Sequence, residues 1–231
     1  MNETTAPAPV KAPVSALAAL VFGACAIGFA PIFVRMTETG PAAAGFWRLL
    51  LALPILALFA LRDGGGVKTL PSKAMVMAGL FFAMDLSFWH YGVKLTSVAN
   101  ATVLTNLSPV VVTAVAWFAF RERPGRIFLA GLALAISGAW TMAAGADKSQ
   151  AIAPLLGDLL SLATAVWYAL YFIAMRQARQ GAGASRAMFW STLVSTPILL
   201  IAAFGMREDI IPASGAGWLA CLGLAVVHVA G

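Results

Sequence analysis

Eight charge-poor apolar stretches run along this chain, each near the ~20 residues that an α-helix needs to cross a bilayer, and short polar segments separate them. They predict helices at 14–35, 42–61, 74–93, 99–119, 127–145, 155–175, 187–205 and 215–231. Helix breakers stand between them: Gly40-Pro41 after the first, Gly64-Gly65-Gly66 and Pro71 after the second, and Arg121 to Pro124 after the fourth. The opening residues 1–13 are polar and carry Pro7, Pro9 and Pro13, the composition of a disordered tail.

Composition identifies the solvent. Hydrophobic residues make up 61% of the 231 positions and charged residues 10%, with a mean hydropathy of +0.89. Soluble domains carry about 25% charged residues, because they need a hydrated surface. This chain cannot cover a watery surface, so lipid must surround it. The net charge of +6 does not indicate nucleic acid, because the basic residues sit in short segments between apolar runs. Cys25 and Cys221 lie alone inside apolar runs, which excludes metal and redox motifs and leaves them as small packing residues. Phe22-Gly23-Ala24-Cys25 faintly resembles a lipoprotein cleavage box, but apolar sequence continues past it to Val34, so that reading fails.

Lys and Arg alternate between loops. Lys11, Arg62, Lys68, Lys73, Arg121, Arg123, Arg126, Arg176, Arg179 and Arg186 fall on one side, and Arg35, Lys94, Lys148 and Arg207 on the other. Ten against four places the N-terminus in the cytoplasm.

The chain also repeats itself. Phe46-Trp47-Arg48 with Pro54-Ile55-Leu56 recurs as Phe189-Trp190-Ser191 with Pro197-Ile198-Leu199, both at an offset of 143. Five helices separate the copies, an odd number, so the copies should have inverted topology, an architecture common in secondary transporters. After superposition the two copies should be related by an axis in the membrane plane. A full second copy would run to about residue 288 by the same offset, whereas the sequence stops within the eighth predicted helix, at Gly231.

These features together resemble the EamA family of the drug/metabolite transporter superfamily. The resemblance rests on Gly28 to Arg35, Phe46-Trp47-Arg48, the run from Ala99-Asn100-Ala101-Thr102 through Leu107-Ser108-Pro109-Val110 to Arg121-Glu122-Arg123, and Gly157-Asp158-Leu159-Leu160-Ser161-Leu162 with Ala165, Trp167 and Tyr171. It covers about 15–231 and implies ten helices in two inverted five-helix halves that export or take up metabolites such as amino acids or drugs. The chain then reads as an all-α integral membrane protein: a tail at 1–13, a first five-helix repeat at 14–145, and an incomplete second repeat at 155–231, about eight helices in all.

Five residues are candidates for a substrate or proton pathway: Asp85, Trp89, Arg48, Asn106 and His228. Asp85 lies eleven residues into its helix, about 16 Å at 1.5 Å per residue, hence near mid-membrane. An Asp there costs roughly 2.5–3.5 kcal/mol on insertion scales, so it should face a cavity or a partner. Its helical face includes Ala78, Phe82, Trp89 and Gly92, and the competing reading is a structural anchor. His228 lies 143 residues after Asp85, the repeat offset, although a lone His in an apolar helix is more often core. Arg48 could meet a substrate carboxylate or snorkel to headgroups. Asn100, Thr102, Thr105, Asn106 and Ser108 precede Pro109, which frees backbone carbonyls, and they read as the lining of a water-filled path ahead of helix glue. His90 is expected to be interfacial, and Asp158 to sit in the first turn of its helix, where the macrodipole favours it. Glu122 reads as part of a basic loop, and the remaining Trp residues as interface or packing groups.

The leading expectation is a secondary transporter that moves a small metabolite across the inner membrane by alternating access. The alternative is a truncated, non-transporting or assembly-dependent remnant of such a carrier. H-E-x-x-H, G-x-S-x-G and a P-loop are absent from the sequence, which argues against an intramembrane enzyme or an ATP-driven pump. No cofactor or metal is called for. The expected partners are the lipid bilayer and a small-molecule substrate, not nucleic acid; protons and a second copy of the chain are further candidates.

Overall fold

Apolar sequence in lipid must satisfy its backbone hydrogen bonds internally, and an uninterrupted helix does this. The computed structural model describes residues 14–62, 67, 69–121, 124–145 and 151–230. The predicted tail at 1–13, with Lys11, lies outside the described residues, as do Lys68, Glu122, Arg123 and Lys148. The described elements are all α-helical: α1 (Val14–Gly28), α2 (Ala30–Met36), α3 (Pro41–Arg62), α4 (Lys73–Leu95), α5 (Val98–Thr105), α6 (Ser108–Phe120), α7 (Arg126–Ala144), α8 (Pro154–Gln180), α9 (Ala184–Gly205) and α10 (Gly215–Ala230). Of these, α3, α8 and α9 are long and apolar enough to cross a membrane by length and composition.

Two predicted spans are each two helices, and proline explains both breaks. Pro31 has no N–H to give to Ile27, and the chain tightens there, with Phe29 N–H donating to Ala26 O at 3.1 Å. Pro109 likewise leaves Thr105 O without its helical donor, and Leu107 N–H turns back to Leu104 O at 3.2 Å. The predicted helices 14–35 and 99–119 are therefore corrected to α1 plus α2 and α5 plus α6. Pro54 in α3 and Pro197 in α9 break neither helix.

Small residues set the packing. The α4 helix lies along α8 and α9, and α3 along α9 and α10. A Cβ on Gly157 would come within 2.6 Å of Thr96 N, and one on Gly79 within 2.6 Å of Val194 Cβ. At the second contact Ser195 Oγ donates to Gly79 O across the interface at 2.7 Å, a polar stitch of the kind that joins helices in lipid. The outside is apolar, with Phe22, Leu134, Leu155, Ile201 and Leu219 all exposed, as a lipid-facing surface requires.

The linkers gather at two ends. At one, Gly40 N–H donates to Asp209 O at 3.0 Å and Ala153 N–H to Leu95 O at 3.1 Å. At the other, Arg186 donates to Thr69 O and Leu70 O, both at 3.2 Å. These are called the Glu208 end and the basic end below. Asp158 is not in the first turn of α8, which contains no acidic residue. It lies one turn deeper and accepts from Thr96 Oγ1 at 2.7 Å and Asn100 Nδ2 at 3.5 Å, so it ties α8 to the α4–α5 junction rather than serving the helix dipole.

Candidate functional site

Five helices, α3, α4, α8, α9 and α10, deliver polar side chains to one place inside this apolar bundle. Asp85 on α4 is 6% exposed, Arg48 on α3 is 9% exposed and His228 on α10 is 4% exposed. Among the described residues no hydrogen bond or ion pair joins Asp85 to Arg48, and Arg48 Nε is buried without a hydrogen-bond partner. The guanidinium carbon of Arg48 lies 6.0 Å from the centre of the Trp89 ring, at the limit of a cation–π contact. Helical spacing explains the grouping on α4, since Phe82, Asp85 and Trp89 are three and four residues apart and share one face.

Aromatic rings wall the group. Phe82 stacks on Tyr171 of α8 at 4.8 Å and on His228 at 5.3 Å between ring centres, and Tyr168 follows Tyr171 at 6.2 Å. Both tyrosines feel the charges of Arg48 and Asp85. His228 Nε2 shares a hydrogen bond with Thr192 Oγ1 of α9 at 3.1 Å. The arrangement offers a cation and a carboxylate, neither neutralised by a direct contact, between flat apolar surfaces. Among the described residues no three His, Cys, Asp or Glu gather as a metal-ligand set.

Of the five residues singled out from sequence, Asp85, Trp89, Arg48 and His228 come together, and Asn106 does not. Asn106 is exposed at the break between α5 and α6. Its neighbours Asn100 and Ser108 are buried. His90 is fully buried near the Glu208 end, with Nδ1 at 2.8 Å from Pro41 O and Nε2 without a partner. Tyr168, Tyr171 and Thr192 were missed as site residues. The three-residue spacing of the two tyrosines on α8 was a usable signal; the position of Thr192 depended on how α9 meets α10. An apolar cleft of about 420 Å³ between α6 and α7, lined by Val110, Thr113, Trp117 and Leu129 among others, holds none of these residues.

A sequence model described as the EamA-like transporter family matches residues 14–144 and again residues 155–231. The chain belongs to the EamA-like transporter family. It is a multi-pass membrane protein whose surroundings are lipid. No curated protein matches it. A solved structure titled "Crystal structure of protein" is similar in fold, with a TM-score of 0.67 and 21% identity over 93% of this chain and 77% of its own. Within this EamA chain the charged and aromatic cluster is the part that apolar packing alone does not explain.

Proposed function

We propose that the chain is a secondary transporter that moves a small, amino acid-like metabolite across the inner membrane by alternating access. One observation carries the reading: Arg48 and Asp85 lie buried together without a direct bond between them. Burying two charges is expensive, and mutual contact is the usual way to offset it. Charges held apart are poised for a solute that bridges them, its carboxylate toward Arg48 and its ammonium toward Asp85, with its side chain against Trp89, Tyr168 and Tyr171. Cationic drug-like solutes could use the carboxylate and the rings alone. Protons are the coupling ion that Asp85 suits.

An inverted repeat is part of this proposal. The α3 and α9 helices each have 22 residues, start 143 positions apart, and carry Pro54 and Pro197 at the same offset. They run antiparallel, because the linker after α9 meets the start of α3. Two successive matches to one family model are what a first unit at 14–145 and a second at 155–231 would produce. Within this proposal the basic end faces the cytoplasm, by the ten-to-four asymmetry of Lys and Arg.

Proteoliposomes loaded with a pH dye and offered a panel of radiolabelled amino acids and organic cations test the proposal. Wild-type protein should take up at least one solute, and Asp85→Asn should lower the flux and flatten its pH dependence, because it keeps shape but removes the titratable charge. Uptake that is unchanged in both Asp85→Asn and Arg48→Met would refute the assignment of the site.

A further inference from the structure

The last turn of α4, at the Glu208 end, is held to its surroundings by side-chain hydrogen bonds. Arg35 donates to Val93 O at 3.0 Å and to Thr96 O at 2.9 Å. Lys94 donates to Thr39 O. The Tyr91 hydroxyl donates to Glu208 Oε1, and His90 Nδ1 meets Pro41 O at 2.8 Å. These bonds join the last turn of α4 and its C-cap Thr96 to the α2–α3 region or the linker after α9. The seam lies at the Glu208 end of α4, which packs along both α8 and α9, and it consists of polar bonds that can be exchanged for water.

Glu208 is its keystone. The start of α3 has no capping side chain of its own, because Gly40 precedes Pro41. Glu208 supplies the cap from the other half of the chain, accepting from Ala43 N–H at 2.8 Å and Ala42 N–H at 3.2 Å. A carboxylate is well placed at the positive end of a helix, and this one also takes the Tyr91 hydroxyl. One side chain thus fixes the α9–α10 linker to α3 and holds both against α4. Glu38 repeats the device nearby: it sits in the left-handed region at φ 56° and accepts from Ser214 N–H and Oγ, both at 2.9 Å, just before α10.

We propose that this seam is a gate, closed in this structure, and that Tyr91–Glu208 and Lys94–Thr39 are the bonds that break when the Glu208 end opens. The inference rests on the alternating-access reading above, but its test needs no solute. Cys221 serves as a native reporter: it is fully buried on α10, one turn after Gly217, where a Cβ would meet Glu38 Oε2 at 2.8 Å and Thr37 O at 3.0 Å. With the exposed Cys25 changed to Ser, Cys221 is the one remaining thiol in the sequence.

The experiment measures the rate at which a membrane-impermeant maleimide modifies Cys221 in right-side-out and in inside-out vesicles. Tyr91→Phe removes one hydroxyl and leaves the α3 cap intact; it should speed labelling about five- to tenfold, the effect of losing roughly 1–1.5 kcal/mol of closing energy. Glu208→Gln should speed it further. Arg186→Ala, which loosens the basic end, should leave the rate unchanged from the Glu208 side. Acceleration from one vesicle orientation alone confirms the gate and reports which way the chain faces. Equal rates for wild type, Tyr91→Phe and Lys94→Met in both orientations would overturn it. Acceleration without any measurable solute flux would retain the gate and reject the transport assignment.

Discussion

Removing both interior charges should cost less than the two single removals predict. Asp85 and Arg48 are buried in one cluster, and among the described residues no ion pair joins them. Unit charges 4 Å apart at an effective dielectric near 20 attract by about 4 kcal/mol, and the attraction falls with distance. That figure bounds the coupling from above, and we expect about 1–3 kcal/mol. Arg48→Met keeps the length of the side chain and leaves Asp85 without its counter-charge; Asp85→Asn keeps the shape and leaves Arg48 alone. Each single substitution should therefore destabilise the protein, and the double variant should recover the coupling. Unfolding by SDS in mild detergent, followed by far-UV circular dichroism, provides the four free energies. A double variant equal to the sum of the singles within about 0.5 kcal/mol would refute the claim that these groups share one electrostatic site.

Three further outcomes follow from the packing and the topology. Gly79→Ala places a Cβ 2.6 Å from Val194 Cβ and 2.7 Å from Ser191 O, so α4 and α9 must separate; the same unfolding assay should register a loss of about 1–3 kcal/mol, and a neutral result would mean the contact is looser than described. Thr192→Val leaves His228 Nε2 without its partner at 3.1 Å, which should cost about 1–3 kcal/mol, whereas Thr192→Ser should retain most of the stability. A cysteine placed at Arg179 in a cysteine-free background should react with an impermeant maleimide only in inside-out vesicles; reaction in intact cells would reverse the orientation.

The sequence by itself determined what the surroundings must be. With 10% charged residues no arrangement of this chain covers itself for water, so the helical character and the family resemblance were legible before any contact was known. Asp85 was legible for the same reason, because an isolated carboxylate in a long apolar run is too costly to face lipid. The helix breaks at Phe29 and Asn106 were only partly legible: Pro31 and Pro109 mark them, yet Pro54 and Pro197 leave their helices whole, and surrounding contacts decide between the two outcomes. Only the tertiary structure decided which polar residues meet. Thr192, His228 and Phe82 come from three helices, and local sequence does not encode how far one helix is rotated against another. The seam at Glu208 is the extreme case, since that carboxylate caps a helix that begins 167 positions earlier in the sequence. A cap of this kind satisfies backbone groups across space, and the pairing exists only once the bundle has brought the two ends together.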